Sequence, residues 1–436
     1  MGARKPFAVI LSSASAGGTI AAARCLGAGG YDVGVLFNSY LSASVWSRYT
    51  KHAHFVPRES DSGRFLDRLM QIGAACPRQI LLPTSDETAW LYSENADLLA
   101  QRFCVYQPPI GTIRRILDKA ELAAAATSVS IAVPPIWDPA KISDLPQLAA
   151  TLPYPILIKP RTHVHRVAND KGVIVHSQEQ LTHALPAFID REMRSAADGP
   201  PMADARTPLL QKFIGGGQSA VSITGFLDRS GELFVTRRGA KVFQRLRDTG
   251  VGVCFESLPA DAELSEAVRR LCRELGYFGV FEVEFIWSEG RWALIDFNPR
   301  LYNQVGMDIR RAMPLPLFAC LDAMGEAGAL REAVERAKAY DERQPAAIYD
   351  GFTLRAILLA QRLRGGLSSA EREYWSGWMR LHAEHAVDLV ADRADWAPGI
   401  VHAFSETCLG LKAIPRFLGS TRRASAAAPR VAKRPS

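Results

Sequence analysis

Two neighbouring segments near residue 290 combine alternating apolar residues with oxygen-bearing side chains. In FEVEFIW the even positions hold Glu282 and Glu284, and in ALIDFNPR they hold Asp296 and Asn298. Successive side chains of a β-strand point to opposite faces, so each segment predicts a strand with one apolar face and one face of oxygen ligands. Carboxylate and amide oxygens are ligands that Mg²⁺ and Mn²⁺ prefer in proteins. We therefore predict a divalent-cation site with Glu284, Asp296 and Asn298 as ligands.

The short turn SEGR joins these two segments into a predicted hairpin. Even positions can oppose even positions only if the loop holds an odd number of residues, so we expect a three-residue loop around Gly290. Glu284 then lies opposite Asp296 or one pair away. Acids in close opposition cost about 0.2 to 1 kcal/mol unless a cation neutralises them. A solvated sheet face is the alternative, but Pro299 would end the ladder just before Arg300, whose guanidinium would meet an anion.

Two lysines are candidates for binding phosphate. Lys159 ends the apolar run PYPILIK and precedes Pro160, which stops the predicted strand, while Lys119 lies in the helical pattern LDKAEL. A lysine ammonium is a compact charge that suits phosphate oxygens. Most lysines are simply solvated, and each of these two could be.

A third cationic group follows a predicted strand. The segment RRGAKVFQRLR precedes a glycine-containing turn and is expected to form a basic face for an anionic substrate and for phosphates; a solvated ribbon is the alternative. The candidate substrate-binding residues here are Arg237, Lys241 and Arg245, with Arg238 and Arg247 beside them. Arg300, at the end of the hairpin, is the fourth candidate for binding substrate.

The composition excludes several classes of protein. The chain has 436 residues, 48% of them apolar, which is enough for two to four packed domains and argues against disorder. The formal charge of +7 includes five basic residues within 420–436, where no acid occurs, so residues 1–419 carry only +2. We therefore expect no nucleic-acid partner and a disordered basic tail, which could act as a phosphate or membrane-surface tether.

The seven cysteines and the apolar runs bear on the compartment. The cysteines are scattered without a CxxC pair, which is typical of reduced thiols in a cytosol. The longest apolar runs are far shorter than the ~18 residues of a membrane span. We predict a cytoplasmic protein without a transmembrane segment. The oligomeric state stays open, with a homodimer as one option.

The first third of the chain alternates apolar runs with helical patterns, which predicts a parallel sheet covered by helices. The loop SSASAGGT, with Gly17 and Gly18, could receive an anion at a helix N-terminus, but it is not GxGxxG and no acid ends the second strand. A dinucleotide oxidoreductase is therefore disfavoured. The cluster from Thr84 to Glu87 follows a strand and predicts either a substrate pocket or helix capping.

The order of these segments resembles the ATP-grasp superfamily, in particular its carboxylate–amine ligases of the carbamoyl-phosphate synthase and D-aspartate ligase type. The resemblance covers residues 5–330 and is carried by LDKAEL, PILIKP, LLQKFI, EVEF and DFNPR. It implies a site for ATP and for Mg²⁺ or Mn²⁺. By position, it assigns ATP to Lys119, Lys159, Gln211, Lys212, Phe213, Ile214 and Gln218, the metal to Glu284, Asp296 and Asn298, and catalysis to Arg300 and Lys159.

The implied reaction is ADP-forming: a small carboxylate, which could be an amino acid, becomes an acyl phosphate and then joins an amine. Three departures from the family pattern stand out. Asp296 replaces the usual Glu, Lys212 stands at the usual hinge Glu, and Gln218 stands at the usual ribose-binding acid. Because Lys212 cannot accept a hydrogen bond from adenine, a nucleotide-binding regulatory or scaffold module without catalysis is the alternative. An ATP-dependent carboxylase would show the same nucleotide motifs.

The expected fold class is α/β. An N-terminal Rossmann-like parallel-sheet domain is followed by a two-lobed α+β ATP-grasp fold and a helical C-terminal extension. The expected divisions are 1–109 for the pre-ATP-grasp domain, 110–210 for a linker helix and the small lobe, 211–330 for the large lobe, 331–419 for the helical region and 420–436 for the basic tail. A loop is expected over 186–208.

Overall fold

Five parallel strands form the N-terminal sheet, as the alternating pattern predicts. The computed structural model describes residues 8–142, 144–164, 172–195, 207–215, 220–244, 252–363 and 365–418. The sheet runs in the order β3-β2-β1-β4-β5. Its strands are β1 (Ala8–Leu11), β2 (Asp32–Phe37), β3 (Thr50–Phe55), β4 (Gln79–Leu82) and β5 (Phe103–Val105), and its helices are α1 (Gly17–Ala28), α2 (Ser62–Ala75), α3 (Asp86–Glu94) and α4 (Ala96–Ala100).

Two helices, rather than one, follow this domain. They are α5 (Ile110–Leu117) and α6 (Lys119–Ser128). The break falls at Asp118, whose carboxylate accepts hydrogen bonds from the backbone N–H groups of Ala120 and Glu121 and so caps α6. Lys119 thereby becomes the first residue of a helix.

A small lobe with its own apolar core comes next. Its antiparallel sheet has the order β6-β9-β7-β8, formed by β6 (Ile136–Trp137), β7 (Ile156–Lys159), β8 (Val173–Val175) and β9 (Leu209–Lys212). Helices α7 (Leu145–Thr151) and α8 (Gln178–Ser195) cover it. The expectation of a loop over 186–208 is wrong at its start, because Pro186 lies inside α8.

The large lobe is a seven-stranded sheet in the order β14-β13-β10-β11-β12-β15-β16. Its strands are β10 (Val221–Leu227), β11 (Phe234–Gln244), β12 (Gly252–Leu258), β13 (Gly279–Ser288), β14 (Arg291–Asn298), β15 (Ala347–Tyr349) and β16 (Ala386–Asp388). Helix α9 (Ala262–Leu275) packs on the apolar face, where its core is continuous with that of α2, α3 and α5.

The C-terminal region is mostly helical but not wholly so. Its helices are α10 (Val305–Arg310), α11 (Leu315–Ala323), α12 (Ala327–Lys338), α13 (Gly351–Leu363), α14 (Ser369–Leu381) and α15 (Ala397–Leu418). The strands β15 and β16, which the sequence analysis missed, extend the large-lobe sheet. None of the described helices is long and apolar enough to cross a membrane.

Candidate active site on the large-lobe sheet

The hairpin of β13 and β14 places the predicted ligands in direct opposition. Glu284 pairs with Asp296 and Glu282 pairs with Asn298 in the antiparallel register. Directly opposed side chains lie on one face with Cβ atoms about 4.5 to 5.5 Å apart. The shared face of the four oxygen-bearing side chains is thus confirmed.

The route to this register differs from the expectation. Ser288 pairs with Arg291, so the loop contains two residues, Glu289 and Gly290, both with positive φ. The expected three-residue loop is wrong. A register shift follows, because Phe285 pairs with Leu294 while Glu284 pairs with Asp296, which leaves Ile295 without a partner. This β-bulge, rather than the loop, brings even-numbered residues opposite even-numbered ones.

Two lysines form ion pairs with the carboxylates on this face. Lys119 Nζ lies 2.7 Å from Asp296 Oδ1, and Lys241 Nζ lies 2.8 Å from Glu284 Oε1. Burial opposes the charge of Lys241, but the Glu284 carboxylate outweighs it and raises the pKa of the ammonium group. Lys119, predicted for phosphate, and Lys241, predicted for substrate, therefore both contact the carboxylate face that the hairpin presents.

Arg300 connects this face to the N-terminal domain. Its Nε donates to Asp86 Oδ1 at 2.7 Å, and its Nη2 donates to Asn298 Oδ1 at 3.1 Å. Asp86 is the first residue of α3, while Ser85 caps that helix in a reciprocal pair with Thr88. Helix capping, one of the two uses predicted for the Thr84–Glu87 cluster, is confirmed for Ser85, while a substrate pocket at this cluster stays a prediction.

Glu282 is a site residue that the sequence analysis did not select. Its carboxylate accepts hydrogen bonds from Ser222 Oγ at 2.9 Å, from Asn298 Nδ2 at 3.0 Å, and from Gln304 Nε2. Burial and the neighbouring Glu284 carboxylate raise the pKa of Glu282 to about 7. Because the Asn298 amide nitrogen donates its hydrogen bond to Glu282, the Asn298 amide oxygen is left to accept from Arg300. The shared parity of 282 and 284 was the signal that could have found it.

Glu87 lies beside the same arginine. Burial and the adjacent Asp86 carboxylate raise the pKa of Glu87 to about 7, while Arg300 acts in the opposite direction. A carboxyl group with a pKa near neutrality can take up a proton at physiological pH.

The other cationic candidates lie elsewhere or beyond the described residues. Arg237 shares the sheet face, but it is only 2% exposed, and its guanidinium donates to the backbone carbonyls of Arg311 and Ala337. The structure does not bring Arg237 to the ligands around Glu284. Arg245 and Gln218 lie outside the described residues.

Lys159 is buried at the end of β7, in the small lobe. The predicted hinge continues from β9, where Gln211 is buried. The backbone N–H of Phe213 donates to the Pro155 carbonyl at 3.0 Å. Lys212 Nζ instead contacts Glu289 Oε1 at 2.6 Å, on the tip of the large-lobe hairpin. Ile214 follows Phe213 and is half-buried.

The donor set suits a hard divalent cation. Glu284, Asp296 and Asn298 supply two carboxylates and one amide from directly opposed positions, which are the oxygen ligands Mg²⁺ and Mn²⁺ accept. Within the described residues, no three His, Cys, Asp or Glu side chains form a complete metal site by themselves. A cation here would take further ligands from other oxygens, as Mg²⁺ commonly does with phosphate and water.

The glycine-rich loop before α1 has a packing role. A Cβ on Gly17 would lie 2.2 Å from Asn303 Oδ1, and one on Gly18 would lie 2.4 Å from the Tyr302 carbonyl oxygen. The chain that leaves β14 therefore packs directly on these glycines. This close packing explains why glycine stands at both positions, and no bound dinucleotide is needed to account for them.

Comparison with known proteins supports the fold. No protein-family model and no curated protein sequence matches the chain. Among solved structures, the biotin carboxylase domain of Hydrogenobacter thermophilus 2-oxoglutarate carboxylase matches 74% of this chain and 70% of its own at 17% identity, with a TM-score of 0.58.

Two further solved structures match over similar lengths. Staphylococcus aureus N5-carboxyaminoimidazole synthetase matches 84% of this chain and 88% of its own at 16% identity and a TM-score of 0.57. Bacillus licheniformis L-amino acid ligase matches 73% of this chain and 74% of its own at 13% identity and a TM-score of 0.54. Together with the parallel N-terminal sheet and the two antiparallel lobes, these matches show that the chain has the ATP-grasp fold.

Proposed function

We propose that this protein is an ATP-dependent ligase that activates a small carboxylate as an acyl phosphate and couples it to an amine, releasing ADP and phosphate. The observation that carries the proposal is the sheet face on which Glu284 directly opposes Asp296 beside Lys119, Lys241 and Arg300. The similar structures support it, since one contains MgADP and bicarbonate and another is an L-amino acid ligase.

Glu284, Asp296 and Asn298 would hold Mg²⁺ or Mn²⁺. When bound, such an ion neutralises charge on phosphate oxygens and so favours attack at phosphorus. Lys119 and Lys159 would neutralise further phosphate charge, because each is a buried ammonium group at the end of an element: the first turn of α6 and the last residue of β7. The hinge from Gln211 to Ile214 is the proposed adenine contact.

Arg300 is proposed to steady the transferred phosphoryl group. A substrate carboxylate oxygen would attack the γ-phosphorus, and the bond from that phosphorus to the bridging oxygen of ADP would break. Two of the guanidinium donors are held by Asp86 and Asn298, so the group is already oriented before it meets the developing negative charge.

Glu87 is the proposed base for the second step. The amine nitrogen would attack the acyl carbon, the bond from that carbon to the phosphate oxygen would break, and the amine proton would pass to a carboxylate. Glu87 lies next to Arg300, and its pKa of about 7 leaves a useful fraction ionised at neutral pH. Glu87 would thus lie close to the reacting groups and could accept the amine proton at neutral pH.

The test is a screen for ADP release. Purified protein with ATP and Mg²⁺ is mixed with pairs of carboxylic acids and amines, with bicarbonate included among the acids, and ADP and phosphate are measured. The proposal expects release that depends on both partners and is lost in Glu284→Gln. Glu266→Gln, which changes an exposed carboxylate of α9 away from the site, is the matched control and should keep its activity. Substrate-stimulated release by Glu284→Gln at the wild-type rate would exclude the proposal.

A nucleotide-binding module without catalysis is the second candidate. It is favoured by the hinge, where Lys212 pairs with Glu289 and supplies no acceptor for a base. Calorimetry would then show ATP binding while no substrate pair stimulates ADP release. Any substrate-dependent release would eliminate this candidate.

A further inference from the structure

Four side chains form a chain of hydrogen bonds from the large-lobe sheet to the N-terminal domain. Asn298 Nδ2 donates to Glu282 Oε2 at 3.0 Å, and Asn298 Oδ1 accepts from Arg300 Nη2 at 3.1 Å. Arg300 Nε donates in turn to Asp86 Oδ1 at 2.7 Å. A carboxylate therefore stands at each end of the chain, with an amide and a guanidinium between them.

These groups permit only one direction of hydrogen bonding along the chain. An ionised carboxylate can only accept, and a guanidinium can only donate. The amide of Asn298 lies between the two, so its nitrogen faces Glu282 and its oxygen faces Arg300. An amide oxygen has two lone pairs, of which Arg300 uses one, and the other is left for a cation. Glu282 thus decides which end of the amide a metal ion meets.

Glu282 has little capacity left to bind the ion itself. Its Oε1 accepts from Ser222 Oγ at 2.9 Å and from Gln304 Nε2, while its Oε2 accepts from Asn298. These donors occupy three of the roughly four lone-pair sites of a carboxylate. The side chain is also buried, with 5% of the residue exposed. Its contacts are therefore those of a group that holds its neighbours in place.

The chemistry of these contacts explains why a carboxylate stands at position 282. Both of its oxygens must accept, because Gln304 and Asn298 each present an amide nitrogen to it. A glutamine of the same shape would offer one oxygen and one NH₂ group. With that oxygen toward Ser222 and Gln304, the NH₂ group would face the Asn298 nitrogen. The Asn298 amide would then have to turn over and present its nitrogen to Arg300 and to the cation.

We propose that Glu282 is a positioning residue of the metal site, which acts by fixing the amide orientation of Asn298. The two residues are directly opposed in the register of β13 and β14, so a change at 282 reaches 298 without an intermediate group. The inference rests on the proposed function, because it takes Asn298 to be a ligand of Mg²⁺ or Mn²⁺. Partners of a metal ligand commonly contribute about 10- to 100-fold to metal affinity.

Exchanging the donor and the acceptor of this pair tests the proposal. Glu282→Gln removes the acceptor that Asn298 needs. The double variant Glu282→Gln/Asn298→Asp restores one donor and one acceptor, keeps the net charge of the pair, and again leaves an oxygen toward Arg300. Asn298→Asp alone places two carboxylates in direct opposition and completes the double-mutant cycle. Glu266→Gln, at an exposed carboxylate of α9, is the control.

The measurement is calorimetric titration of ATP into each full-length variant, with and without Mg²⁺. We expect Mg²⁺ to tighten ATP binding in the wild type and in the control. That enhancement should fall by about tenfold or more in Glu282→Gln and should largely return in the double variant. Asn298→Asp should therefore restore the enhancement only when Glu282→Gln is also present, which is a non-additive result.

Three results would overturn the role of Glu282. These are a wild-type Mg²⁺ enhancement in Glu282→Gln, a double variant no better than Glu282→Gln, and an equal effect of Asn298→Asp with and without the change at 282. A side chain that merely satisfied buried donors would give the first result together with a lower melting temperature. If thermal unfolding shows that Glu282→Gln is not folded, Glu282→Ala takes its place, since it removes the acceptor without adding a donor. A wild type without any Mg²⁺-dependent ATP binding would instead contradict the ligase proposal itself.

Discussion

Arg161 and Asp118 form a buried ion pair, with Nε 2.7 Å from Oδ2, that links the two predicted phosphate lysines. Asp118 caps α6 and immediately precedes Lys119, while Arg161 lies two residues beyond Lys159. The backbone N–H of Lys119 also donates to the Arg161 carbonyl at 3.0 Å. The pair therefore fixes the helix that begins at Lys119 against the end of the small-lobe strand that carries Lys159.

Replacing Arg161 with methionine should lower both stability and nucleotide affinity. The change leaves Asp118 buried without its main cation, and loss of one partner of a buried pair costs about 3 to 5 kcal/mol. Urea unfolding measures the first effect and ATP titration the second. Arg64→Met, at an arginine whose side chain is 81% exposed, should cost at most about 1 kcal/mol. Equal losses in the two variants would contradict the role given to Arg161.

Gly18→Ala should destabilise the protein by about 1 to 3 kcal/mol, because the new Cβ would overlap the Tyr302 carbonyl oxygen. Gly377→Ala in the interior of α14 is the matched control, since its Cβ would meet no atom within 4 Å. That change should stabilise the helix by about 0.5 to 1 kcal/mol. Thermal unfolding compares them. Strong NADH binding that Gly18→Ala abolishes without destabilisation would instead favour a dinucleotide site.

Arg237→Met should reduce the free energy of unfolding while leaving the KM for both substrates unchanged. The side chain satisfies two buried carbonyl oxygens, and an unsatisfied buried polar group costs about 1 to 3 kcal/mol. Denaturant unfolding and steady-state kinetics of the surviving folded protein separate the two effects. A raised KM at unchanged stability would restore Arg237 to the substrate-binding group.

Glu87→Gln should remove the rise in kcat/KM that the wild type shows as the pH increases through neutrality. With a pKa of about 7, Glu87 gains its base form as pH rises through neutrality, so wild-type kcat/KM should increase there. The variant should be roughly 10² -fold slower at high pH and lack this rise. Glu94→Gln, at an exposed carboxyl of α3, should retain it. An unchanged rise in Glu87→Gln would exclude Glu87 as the base.

The same substitution has a stability consequence of defined sign. Because the pKa of Glu87 is raised from 4.5 to about 7 on folding, its protonated form favours the folded state at low pH. That contribution is lost as pH rises through about 7. Relative to Glu87→Gln, the wild type should therefore become less stable between mildly acidic and mildly alkaline pH in urea unfolding.

The strand parity of the hairpin was enough to predict that Glu284 faces Asp296, because alternation with period two is set locally. It could not predict how the register arises. Parity requires one odd residue somewhere in the hairpin, and a loop residue and a bulge at Ile295 satisfy that requirement equally well. The N-terminal parallel sheet was predictable for the same local reason, since its apolar runs and helical patterns alternate.

Contacts between segments far apart in the chain could not be predicted from the sequence. Asp118 and Arg161 are 43 positions apart, and nothing local to either one indicates the other. In the sequence, Gly17 and Gly18 suggested an anion-binding loop. Their close contact with Tyr302 and Asn303 arises only in the folded chain, so the sequence could not indicate it. Arg237 and Lys241 share a face by parity, yet burial by the helices after β14 separates their surroundings.

Titration of ATP into the protein with and without Mg²⁺ tests the central claim most directly. For the wild type, the account predicts nucleotide binding that tightens strongly when Mg²⁺ is added. In Glu284→Gln and Asp296→Asn the enhancement by Mg²⁺ should be lost, while Glu266→Gln, at an exposed carboxylate of α9, should keep it. An undiminished Mg²⁺ effect in both site variants would contradict the claim that this pair of opposed carboxylates holds the metal.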